Sequence, residues 1–134
     1  MPAPPERVFA FVEDVRNLPR WQDGVESAER TSSGPVAVGS TARVRRQLLG
    51  QPVDLDLVVI EHDPPRRLAL ETSVQGLRVQ VALDIAPSGS RSRVTFATAF
   101  QGRGMSTFLE PVLAKTAEGE VGASLKRLRV ALAR

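Results

Sequence analysis

The chain has 134 residues, enough for one domain over residues 1–134 with a single core. It contains no Cys, which excludes disulfides, thiolate nucleophiles and cysteine-ligated metals, and no apolar run approaches the ~20 residues that cross a bilayer. The formal charge is +3, but the 18 basic residues, 16 of them Arg, are scattered among 15 acids with six aromatics in all. That scatter argues against a nucleic-acid surface. Met1 to Glu6 lacks the charged-then-apolar pattern of a signal peptide, so a cytoplasmic protein is expected.

Pro4, Pro5 and Glu6 open a short amphipathic helix whose apolar stripe is Val8, Phe11, Val12 and Val15. Asp14 to Pro19 is turn-rich, and Arg20-Trp21-Gln22 leads into a short strand around Val25 to Thr31, ended by Ser32-Ser33-Gly34-Pro35. From Thr41 the chain reads as antiparallel strands. Taking Gly50-Gln51 as a two-residue turn opposes Leu48 with Val53, Arg46 with Leu55, Val44 with Leu57 and Ala42 with Val59. That face is apolar except for Arg46, while Arg45 and Gln47 meet Asp56 and Asp54 on the other.

A second hairpin turns at Gln75-Gly76 and opposes Leu68, Leu70, Thr72 and Val74 to Leu83, Val81, Val79 and Leu77. After Pro87-Ser88-Gly89-Ser90, the inner face of a last strand carries Val94, Phe96, Thr98 and Phe100. Residues from about Thr107 to Ala133 have the apolar stripe of a long helix, including Leu109, Val112, Leu113, Ala117, Val121, Leu125, Leu128 and Leu132. Gly119 and Gly122 interrupt it and mark a bend, a close backbone approach or a tolerated loss. A one-faced sheet needs a cover, and this helix is the long apolar one, so the class is α+β.

Pro4-Pro5-Glu6-Arg7-Val8-Phe9, Asp14, Leu18-Pro19-Arg20-Trp21, Val38-Gly39-Ser40, Gly50, Pro64-Pro65-Arg66-Arg67-Leu68 and the closing Leu-rich helix resemble the START-like (SRPBCC) superfamily, in its polyketide cyclase/dehydrase-type branch. The resemblance implies a helix-grip fold. A curved antiparallel sheet would wrap a long C-terminal helix, with short N-terminal helices and a hydrophobic cavity between sheet and helix. Members usually open with a strand for which Met1-Pro2 leaves no room. The sheet is therefore expected to have six strands and an unpaired edge open to dimerisation, or seven with an earlier start, and the chain to be a monomer or a homodimer.

On this reading the cavity is lined by Phe11 and Trp21, by Val44, Arg46 and Leu48, and by Leu55 and Leu57. Leu70, Thr72, Val81 and Leu83 add to the wall, as do Val94, Phe96 and Thr98. The long helix contributes Leu109, Leu113, Ala117 and Val121. Arg46 is the one candidate for catalysis, because its guanidinium on an apolar face suits a carboxylate, phosphate or enolate; its other readings are a slipped register or an edge residue that snorkels. His62, the sole imidazole, reads as a surface turn residue with no second His for a metal site. No metal and no cofactor are expected, because no phosphate loop, nucleotide fingerprint or ligand cluster is present. The expected partner is a small hydrophobic or amphipathic molecule, lipid-, quinone- or polyketide-like, with no nucleic acid and no membrane insertion. The alternatives are a polyketide cyclase/dehydrase-like enzyme using the same cavity, or a protein-interaction module.

Overall fold

The computed structural model describes residues 1–48, 50–74, 76–102 and 122–133. Helix α1 (Pro5–Glu13) is followed by a 3₁₀ turn (Val15–Asn17) and the short helix α2 (Leu18–Trp21). Six strands follow: β1 (Val25–Arg30), β2 (Thr41–Leu48), β3 (Gln51–Asp63), β4 (Arg67–Val74), β5 (Leu77–Ser88) and β6 (Arg91–Gly102). Residues 122–132 form helix α3. The strands make one antiparallel sheet in sequence order, and the whole is a helix-grip arrangement in which the sheet's apolar face receives α1 and α3.

Pro5 starts α1 because its fixed φ suits the first helical turn, where its missing N–H costs nothing. Pro5, Val8, Phe9 and Val12 are the buried residues. This corrects the expected stripe: α1 stops at Glu13, so Val15 falls in the 3₁₀ turn, and Phe9 rather than Phe11 is the deeply buried ring. Asp14 makes the stop by leaving helical geometry. Its carboxylate accepts the Arg16 amide at 3.0 Å and the Arg16 guanidinium at 3.0 and 2.9 Å, which holds its pKa below the ordinary carboxylate value. Asp14→Ala is expected to cost about 1 kcal/mol near neutral pH, by loss of the cap. Because the folded pKa lies below the unfolded value of 3.8, that contribution is complete above 3.8 and fades as pH falls through the folded value. Urea midpoints of both proteins across that range check this; a gap that does not close on acidification contradicts it.

The β4–β5 register is the expected one, with Leu68, Leu70 and Thr72 opposite Leu83, Val81 and Val79. The β2–β3 register differs by two residues: Arg46 opposes Val53, Val44 opposes Leu55, and Ala42 opposes Leu57. The turn comes one residue earlier than expected, with Gly50 at φ +80°. An even slip exchanges rungs without exchanging faces, so the apolar face survives. On the outer face Arg43 now meets Asp56 at 3.3 Å and Arg45 meets Asp54 at 3.8 Å. These are exposed pairs of small energetic weight.

Two bulges re-aim side chains. Between Val59 and Glu61 the register shifts by one residue, so His62, opposite Leu68, turns to the inner face in place of Glu61. Between Val25 and Ser27 a second shift places Ala28 and Arg30 opposite Val44 and Ala42 on the inner face. Beside β6, Met1 extends the sheet by one rung: its amine donates to the Ser92 carbonyl at 2.6 Å and its carbonyl accepts the Ser92 amide at 3.1 Å.

The core joins α1, α2, α3 and the sheet through Val8, Leu18, Trp21, Leu68, Leu83, Leu128 and Leu132, all nearly inaccessible. Of the expected helix, the part before residue 122 lies outside the described residues. Gly122 is exposed, and among the described residues nothing stands close to where its Cβ would be, so none of them makes a close approach there. Ser124 fixes α3 against the start of β1, where its buried hydroxyl accepts the Asp23 amide at 2.8 Å. Ser124→Ala orphans that amide and is expected to cost about 1–3 kcal/mol in urea unfolding. A loss within experimental error sinks this assignment.

Candidate functional site

The inner face is not uniformly closed. At the end covered by α1 and α3, Leu68 and Leu83 are 1% and 2% exposed. Toward the β2–β3 and β4–β5 turns, Leu55, Leu70 and Thr72 rise to 8%. Val81 and Thr98 on the Leu70 rung, Val79 and Phe100 on the Thr72 rung, and Val53 nearer the β2–β3 turn are half-buried. Short apolar side chains in alternation make this wall, and its closure weakens with distance from the packed helices.

The expected lining residues divide accordingly. Trp21, Val44, Leu57, Leu70, Leu83 and Phe96 are packed into the core. Leu55, Thr72, Val81, Val94 and Thr98 share the inner face with them. Phe11 is half-buried at the margin of the core, with the Arg20 guanidinium over its ring at 5.2 Å from the ring centre. Leu109, Leu113, Ala117, Val121 and the Leu48 side chain lie outside the described residues.

Arg46 is half-buried, and its guanidinium turns to main-chain carbonyls: Nε donates to Gln47 O and Nη2 to Asp23 O, both at 3.4 Å. The Thr72 hydroxyl donates to the Asp56 carbonyl at 2.8 Å, which leaves its oxygen able to accept. A guanidinium stays protonated and a hydroxyl held by a carbonyl has no base at its proton, so the described face binds and orients better than it transfers protons.

His62 is not in a turn. It lies in β3, where its Nε2 meets Glu13 Oε2 at 2.9 Å and its ring stands edge-on to Phe9 at 5.4 Å, tying α1 to the sheet. Close by, Val12, Glu13, Val15, Leu18, Arg30, Val36, Ser40, Thr41, Leu57 and Leu70 border a small cavity of ≈ 20 Å³. Arg30 Nη2 is buried and has no hydrogen-bond partner among the described residues. Sequence reasoning missed this inward arginine because strict alternation from Val25 turns Ser27 and Glu29 inward. The bulge at Glu26 reverses the order.

The description "Polyketide cyclase / dehydrase and lipid transport" belongs to a family model that matches residues 1–133. No curated protein sequence matches the chain. Among solved structures the chain is similar to protein TTHA0849 from Thermus thermophilus, with 23% identity, 96% of this chain and 88% of that chain covered, and a TM-score of 0.78. It is also similar to a START superfamily protein from Mycobacterium smegmatis, at 17% identity, 98% and 88% coverage and a TM-score of 0.74. The di-domain ARO/CYC BexL from the BE-7585A biosynthetic pathway matches at 17% identity and a TM-score of 0.76, over 96% of this chain and 44% of that one. At these identities the three share the fold. Among the described residues, no helix is long and apolar enough to cross a membrane.

Proposed function

Since the chain belongs to the polyketide cyclase/dehydrase and lipid transport family, we propose that it binds a small hydrophobic or amphipathic molecule against the half-buried end of its inner sheet face. Family and fold are consistent both with hydrophobic ligand binding and with cyclase-type chemistry. The observation that carries the binding reading is the gradient of closure. Apolar side chains from β3, β4, β5 and β6 form one wall, yet their burial falls away toward the hairpin turns. A wide apolar wall with few polar groups is the usual character of a small-molecule site. Arg46 and Thr72 hold main-chain carbonyls, which favours binding over proton transfer.

The test is titration with the apolar fluorophore N-phenyl-1-naphthylamine. Saturable enhancement at one probe per folded chain is the expected result. An enhancement that is absent, or that rises without saturation as on a nonspecific surface, overturns the reading.

A further inference from the structure

We infer that the ligand carries a carboxylate at one end and that Arg30 is the residue that receives it. This rests on the binding reading above and names the class of molecule bound there. Arg30 stands on the inner face at the end of β1, opposite Ala42, put there by the bulge at Glu26. Its Nη2 is buried and donates to no described group, although a guanidinium nitrogen removed from water ordinarily finds an acceptor. The nitrogen belongs to a residue that borders a cavity of ≈ 20 Å³, room for a water-sized group or the head of a longer molecule but not for the whole of one.

The surroundings select the head. Among the acids near it, Glu13 is engaged with His62 at 2.9 Å and Asp14 with Arg16 at 2.9 Å; the Arg30 charge acts on the Asp14 carboxyl and helps hold its pKa down, but neither acid hydrogen-bonds Nη2. Ser40 also borders the cavity; its Oγ accepts the Ala37 amide at 3.0 Å, which leaves its O–H to donate. A guanidinium fork and a hydroxyl donor bordering the same cavity match the two oxygens of a carboxylate. The rest of the molecule has an apolar path: Leu57 and Leu70 border the cavity and belong to the same sheet face as Leu55, Thr72 and Val81. Head and tail sites thus lie on one sheet face, with Leu57 and Leu70 between them.

The experiment displaces N-phenyl-1-naphthylamine with dodecanoate and with dodecanol, which differ only in the head. Dodecanoate is expected to bind about tenfold more tightly to the unaltered protein, the scale of one charge-assisted contact. Arg30→Met should erase that preference, leave the affinity for dodecanol unchanged and raise or preserve the melting temperature, because an orphaned buried donor has been removed. Ser40→Ala, a milder change, should weaken dodecanoate about twofold to threefold and leave dodecanol as it was.

Equal affinity of the two ligands, or a preference that survives Arg30→Met, overturns the inference. So does tighter binding of dodecyl phosphate than of dodecanoate, which would assign a different head. Probe binding without displacement by dodecanoate overturns the carboxylate and leaves the apolar site standing. Failure of the probe itself to bind removes the underlying reading instead.

Discussion

Trp21→Ala is expected to destabilise the protein by about 3–5 kcal/mol, the range for emptying a large aromatic site in a packed core. Trp21 is 1% exposed and meets Phe96 edge-on with ring centres 5.8 Å apart, so one side chain ties α2 to the last strand. Its indole Nε1 is buried without a hydrogen-bond partner among the described residues. Trp21→Phe therefore keeps an aromatic edge against Phe96 while removing an unsatisfied donor, and should cost less than half as much as the alanine change. Urea unfolding of both variants provides the comparison. An alanine variant within about 1 kcal/mol of the parent would contradict the packing role, and equal costs for the two variants would contradict the account of Nε1.

Val81→Trp is expected to weaken binding of the apolar probe at least about tenfold while leaving the fold intact. Val81 is half-buried on β5, opposite Leu70 on β4 and Thr98 on β6, at the middle of the loosely closed end. An indole there would occupy the space assigned to the ligand. The same substitution tests the structure itself. If the wall is already packed at this point, the added volume should cost about 1–3 kcal/mol by overpacking and the probe affinity should hardly move. Loss of binding with a nearly unchanged melting temperature is the combination that supports a cavity. Stability loss with unchanged binding is the one that rejects it.

The hairpins show how sequence and structure divide the information. Alternation placed Leu68, Leu70 and Thr72 on one face with Val79, Val81 and Leu83, and the register agrees rung for rung. In the first hairpin the turn was one residue off, so the slip was two and Arg46 met Val53 instead of Leu55, still on the inner face. Face depends on parity, which alternation encodes strongly, whereas the rung depends on which residues occupy the turn. Arg30 and His62 went the other way. Each follows a one-residue bulge, and a bulge reverses parity for every residue beyond it without a mark in the hydrophobic pattern.

Local rules therefore sufficed for the α+β class, the strand order of neighbours and the division of each strand into apolar and polar sides. These follow from side-chain periodicity and turn chemistry, which act over a few residues. The tertiary structure decided which aromatic of α1 is buried, where the wall is closed and where it is loose, and that Arg30 turns a buried nitrogen inward. Those outcomes depend on strands meeting helices far away in sequence, as when Ser124 meets Asp23 or Glu13 meets His62. No local pattern carries that information, because the energy of burial belongs to the assembled surfaces rather than to the segment that supplies them.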